Sequence, residues 1–156
     1  MEEFSSILNG VNAKIAAACA RTGRNPSEVE IVAVTKTHGA EVVREAWEGG
    51  LRIVGENKVQ EAAWKQPLSV SGPEWHLIGH LQRNKVRAAL SLFECFHSID
   101  SVALLDRMEA EMGGEVKTIA TGGLSRYVIP LCRRKLIYDR SLMLKGLWLI
   151  YQRNVK

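Results

Sequence analysis

The sequence predicts an α/β fold in which strands and helices alternate along the chain over a parallel sheet. Three observations carry this expectation. Short apolar runs start near residues 31, 51, 75 and 93. Stretches with apolar steps of three and four fill the intervals between them. The run at residues 31–34, Ile-Val-Ala-Val, has no polar alternate, as expected of a strand covered on both faces in a parallel sheet. Such a sheet is either doubly wound or closed as a barrel, and in both cases chemistry belongs at the carboxyl ends of the strands.

Each element has its own signal. In residues 2–21, Phe4, Leu8, Val11, Ile15, Ala18 and Cys19 form an amphipathic stripe that Gly23 stops. Asn25-Pro26-Ser27 turns the chain into the first strand. Residues 40–48 read as a helix with Val43, Ala46 and Trp47 on one side, ended by Gly49-Gly50. Residues 51–54 form a second strand, and 59–65 a helix closed by Pro67. Residues 75–78 and 92–97 supply strands three and four, with a helix at 84–90 between them. Ser98 or Asp100 caps a helix at 102–111, whose stripe is Leu104, Leu105 and Met108. A fifth strand fits residues 115–120, after which the rhythm is lost.

Charge divides the chain in the same place. Residues 1–112 carry 12 Lys and Arg against 15 Asp and Glu, a net −3, whereas 113–156 carry 9 against 2, a net +7. The basic character therefore belongs to the tail. We expect two parts, 1–112 as the βα region and 113–156 as a divergent basic tail, frameshifted or truncated. The composition, 46% hydrophobic and 24% charged, is that of a soluble globular domain. Cys19, Cys95 and Cys132 show no paired spacing, which fits a reducing, cytoplasmic compartment. No secretory signal or membrane span is expected.

Lys36 ends the first strand. By alternation it shares a face with Val32 and Val34, and so extends a stripe expected to be buried. Burial favours the neutral amine, the form that condenses with an aldehyde. The plainer alternative is a lysine that snorkels from the strand end. Gly55-Glu56-Asn57, Gly79-His80 and residues 98–100 occupy equivalent strand ends, so a rim of polar groups is expected to face Lys36.

Four segments in order, VAVTKTH at 32–38, GENKVQE at 55–61, WHLIGHLQRNK at 75–85 and, more weakly, HSIDS at 97–101, resemble the pyridoxal phosphate homeostasis proteins. Their barrel looks like the N-terminal domain of alanine racemase. The resemblance covers about residues 5–112, and the tail does not share it. It implies a (β/α)₈ TIM-type barrel and pyridoxal 5′-phosphate held by Lys36 as a Schiff base. It also implies that Asn57 lies beside the cofactor ring and that His80 borders it. The implied role is a non-catalytic carrier in vitamin B6 homeostasis, with apo-enzymes as recipients and no catalytic residue. A barrel of this type takes roughly 200 residues or more. Here about four to five βα units follow the N-terminal helix, so an incomplete barrel is expected. An amino-acid racemase-like enzyme and a non-functional fragment are the alternatives.

Other patterns have plainer readings. His76 and His80 flank a strand end and should not share a helical face, so no metal site is expected of them. His97, Ser98 and Asp100 are sequence neighbours, which seldom form a catalytic triad. Trp47, Trp64 and Trp75 read as core. The basic tail lacks a nucleic-acid-binding signature, so no such partner is expected.

Overall fold

The structure, a computed structural model, describes residues 2–113, 119–120, 125–131, 137–139 and 141. It divides into two compact units, Met1–Ile99 and Asp100–Lys156. Among the described residues no helix is long and apolar enough to cross a membrane.

In the first unit, helix α1 (Glu2–Ala20) precedes three strand–helix repeats and a fourth strand. Strand β1 (Val32–Val34) leads to α2 (Glu41–Glu48), and β2 (Ile53–Glu56) to α3 (Val59–Lys65). Strand β3 (Glu74–Leu77) leads through a 3₁₀ turn to α4 (Val86–Leu90), and β4 (Cys95–Phe96) follows. The strands form one parallel sheet in the order β1-β2-β3-β4, in register through Val34, Gly55, His76 and Cys95. This is an α/β architecture consistent with an incomplete TIM-type barrel, as the sequence predicts.

Local chemistry explains the boundaries. Gly23, at φ +64°, reverses the chain after α1, and the Arg24 N–H reaches back to the Cys19 carbonyl at 3.1 Å, a Schellman-type stop. Asn25 accepts from the Ser27 N–H at 3.0 Å, and Pro26 opens the following 3₁₀ turn.

Right-handed crossovers put the helices on one face of a parallel sheet. That face carries Val54, Trp75 and Leu77, and the helices carry Val43, Ala46, Val59, Ala62, Val86 and Ala89, all buried. The other face carries Val32 and Val34 from β1, Ile53 and Gly55 from β2, Glu74 and His76 from β3, and Cys95 from β4. A side chain at Gly55 would sit 3.0 Å from Val32 and 3.2 Å from Ile78, so its absence lets those two close over β2.

Several expectations need correction. The stripe of Val32, Val34 and Lys36 is not buried: Val34 is 52% exposed and Lys36 is exposed. The reason is that the crossover helices after β1, β2 and β3 cover the opposite face, and no described strand pairs beyond β1 to close the sheet over this one. Trp64 is 57% exposed, whereas Trp75 is core and the half-buried Trp47 lies under the Arg52 guanidinium at 4.1 Å. Among the α1 side chains described, from Phe4 to Ala20, only Cys19 is buried, and Val11 is 39% exposed.

The second unit holds α5 (Val102–Met112), β5 (Ile119–Ala120), α6 (Ser125–Val128) and β6 (Ile137–Tyr138). Ser101, rather than Ser98 or Asp100, caps α5, accepting from the Leu104 N–H at 3.3 Å. Strands β5 and β6 pair in parallel. The expected fifth strand is therefore present at Ile119–Ala120, while 114–118, the turn at 121–124 and the basic run at 133–135 lie outside the described residues.

Candidate functional site

The chain leaves β1 through a tight turn at Thr35-Lys36-Thr37-His38, closed by the His38 N–H on the Thr35 carbonyl at 3.3 Å. Thr37 has φ +67°, the sole positive φ of a non-glycine residue among the described residues. A β-branched side chain adopts that conformation only when its surroundings over-determine it.

Those surroundings are a buried charge network under the turn. The Lys65 ammonium, on the last turn of α3, donates to the Thr35 carbonyl at 2.9 Å, to Glu56 Oε1 at 2.6 Å and to Glu61 Oε1 at 3.2 Å. Thr35 Oγ1 donates to the same Glu56 oxygen at 2.6 Å. The Thr37 N–H donates to Glu61 Oε1. Lys65 and Glu56 are both fully enclosed, and ions so placed persist only when paired. Burial pushes the Glu61 carboxyl up, but the Thr37 N–H and the Lys65 ammonium, with Lys58 beyond, outweigh it and hold the group below the usual carboxylate range. Among the described residues the buried lysine is thus Lys65, and its network holds the turn that presents Lys36.

Lys36 itself is exposed, and no described residue hydrogen-bonds or pairs with its ammonium. Parallel pairing continues past the strand ends: the Thr35 N–H donates to Gly55 O at 3.1 Å, Ile78 to Glu56 at 2.9 Å, and His97 to Leu77 at 2.9 Å. Alternation then puts Lys36, Asn57, Ile78 and His97 in one row on the face without helices. Because β1 and β2 are adjacent, the turn that holds Lys36 and the β2 end that precedes Asn57 lie next to one another. Asn57 is half-buried, and Gly79 packs on it so closely that a Cβ there would lie 2.4 Å from the Asn57 carbonyl oxygen. His80 is exposed and follows Gly79, outside the row.

A second constellation occupies the same face. His76 Nδ1 and His97 Nε2 are 2.9 Å apart, and His76 Nε2 meets Glu74 Oε1 at 2.9 Å. Cys95 Sγ lies within 4.8 Å of both histidines. Burial pushes the Cys95 thiol up, the Glu74 carboxylate adds to that, and a hydrogen bond with the Phe96 backbone partly opposes it. His76 thus finds His97, not His80. The His97 ring turns to His76, while Ser98 Oγ donates to the Gly79 carbonyl at 3.3 Å.

The sequence reading missed both networks. Alternation could have found the first, since Thr35 and Glu56 fall on the helix-covered face and Glu61 and Lys65 stand four apart on α3. The second depends on the register that sets His76 beside Cys95, which spacing along one chain does not reveal.

No family model matches the chain. It is similar to the pyridoxal phosphate homeostasis protein of Escherichia coli strain K12, at 40% identity over 120 residues, 74% of this chain and 51% of that protein. The proteins of the same name from Pseudomonas aeruginosa and Aquifex aeolicus are 41% and 38% identical, over 71% and 65% of this chain and 49% and 45% of theirs. The chain spans about half the length of the curated relatives it matches. Among solved structures it is similar to PipY of Synechococcus elongatus with pyridoxal phosphate bound, with TM-score 0.56 and 34% identity over 90% of this chain and 65% of that one. PipY without the cofactor gives TM-score 0.54 and 36% identity, over 90% and 66% of the two chains.

Proposed function

We propose, because the chain belongs to the pyridoxal phosphate homeostasis protein family, that it holds pyridoxal 5′-phosphate through Lys36 and serves as a non-catalytic carrier of that cofactor. The observation that carries this reading is the exposed, unpaired Lys36 amine on a constrained turn, in a row with Asn57. The bound group would supply an aldehyde carbon, which a primary amine captures reversibly.

The residues present fit such a group. The Lys65–Glu56–Glu61 network holds the turn, so the amine starts from a defined position, and pre-organisation of this kind lowers the cost of binding. The Asn57 side chain offers a donor and an acceptor beside it. Gly79, without a side chain, lets the loop after β3 pack against the Asn57 backbone, which steadies that residue. His80 borders the same rim in this reading. Lys36 works here by access and position rather than by burial.

Residues 1–112 are, on this proposal, the N-terminal half of a pyridoxal phosphate-binding barrel and 113–156 a divergent basic tail. Apo-enzymes would receive the cofactor, in the cytoplasm, where the free thiols of Cys19 and Cys95 stay reduced. The test is a titration of the full chain with pyridoxal phosphate, followed by visible absorbance and by racemisation of added amino acids. The reading expects a saturable absorption change in the wild-type chain, its loss in Lys36→Ala, and no turnover. An equal change in Lys36→Ala, or steady racemisation, would overturn it.

A further inference from the structure

We propose that His76, Cys95 and His97 form a binding site for a divalent transition-metal ion of the zinc class. The site follows from the sheet. Register sets His76 beside Cys95 on neighbouring strands, and His97 lies two residues on from Cys95, hence on the same face. Two imidazole nitrogens and one sulfur thereby converge, with all three donor atoms within 4.8 Å of one another. That donor set suits zinc or cobalt and disfavours calcium or magnesium, which take oxygen ligands.

Hydrogen bonding orients the donors. The Glu74 carboxylate can only accept, so His76 Nε2 carries the proton and the Nδ1 lone pair points toward His97. A carboxylate behind a ligating imidazole is the usual outer partner in zinc centres. His76 is 8% exposed, so its ring is held in place, whereas Cys95 is half-buried and His97 exposed. The two adjustable ligands lie on the open side, where a solvent molecule can take a fourth position.

The geometry requires small movements. Bond lengths near 2.0–2.3 Å at a tetrahedral centre put ligand atoms about 3.4–3.6 Å apart. The histidine nitrogens, now 2.9 Å apart, must open by about half an ångström, and the sulfur must close in by about one. Rotation of the exposed His97 ring and of the Cys95 side chain supplies both. On binding, the Cys95 thiol loses its proton to solvent and the His97 proton moves from Nε2 to Nδ1. No oxidant or reductant is involved. The strand that leads to Lys36, β1, is two strands from β3 and three from β4, roughly 10–14 Å by strand spacing, so the proposed ligands are separate from that amine.

The experiment is a titration of the reduced full chain with cobalt(II), then with zinc(II) in competition. One ion per chain is expected, with a near-ultraviolet sulfur-to-cobalt charge-transfer band. The band should survive in a Cys19→Ser/Cys132→Ser chain and vanish in Cys95→Ser. Zinc affinity should fall at least tenfold in His97→Gln, whose exposed ring can be replaced without disturbing the core, and about 10–100-fold in Glu74→Gln. Circular dichroism checks that each variant folds. Absence of the cobalt–thiolate band, its persistence in Cys95→Ser, or unchanged zinc affinity in His97→Gln would overturn the proposal. Lys36→Ala should leave the titration unchanged, so failure of the carrier reading and failure of this one are separable.

Discussion

Replacing Lys65 by methionine removes the charge at the centre of the turn's support while keeping most of the side-chain volume. Glu56 would remain fully enclosed, without the ammonium now 2.6 Å away. Its Oε2 already lacks a partner among the described residues, so only the Thr35 hydroxyl would still serve the carboxylate. The Thr35 carbonyl would also lose its 2.9 Å donor. Breaking one side of such a buried pair costs about 3–5 kcal/mol, a large fraction of a typical total of about 5–15 kcal/mol. Urea unfolding of the full chain, followed by circular dichroism, measures the loss. The double variant Lys65→Met/Glu56→Gln leaves no orphaned charge and should be more stable than Lys65→Met alone, a coupling that a double-mutant cycle reads directly. A Lys65→Met chain within about 0.5 kcal/mol of wild type, or a double variant less stable than the single one, would refute this reasoning.

Three further outcomes follow from the same region. Glu61, whose carboxyl is held below the usual carboxylate range in the folded chain, contributes stability that is present above its unfolded value and is lost as pH falls through the lower folded value. Glu61→Gln should therefore lower stability at neutral pH and flatten the acid limb of the stability curve, and an unaltered acid limb would contradict the assignment. Thr37→Gly removes a β-branched side chain from φ +67° and should stabilise the chain by up to about 1 kcal/mol in urea unfolding. Gly79→Ala puts a Cβ 2.4 Å from the Asn57 carbonyl oxygen, so a backbone shift costing about 1–3 kcal/mol is expected, together with weaker retention of pyridoxal phosphate.

The sequence made the repeating plan legible because each buried element carries its period. The helix at 59–65 coincides with α3, and the second, third and fourth strands differ from expectation only at their ends. The strand expected at 92–97 shrinks to Cys95–Phe96 because Leu92 and Phe93 still close the preceding helix through the Ala89 carbonyl. What alternation could not supply was the sign of each face. Val34 looked buried because it is apolar, and it is 52% exposed. The helices cover the Thr35 face, where Glu56 and Lys65 compensate one another. Lys36 was legible as a strand-end amine, but the lysine held under the turn was visible only as the end of a helix. The rim was partly legible: Asn57 follows the end of β2, the strand beside β1, while His80 comes after Gly79.

The central claim is that Lys36, among several accessible lysines, is the one that holds the cofactor aldehyde. Incubating the full chain with pyridoxal phosphate, trapping the linkage by borohydride reduction and mapping the peptides by mass spectrometry tests it most directly. The account expects the added mass on the peptide containing Lys36, with the exposed Lys14 and Lys58 at background. Label spread equally over Lys14, Lys36 and Lys58 would contradict it, because exposure alone would then explain the reaction.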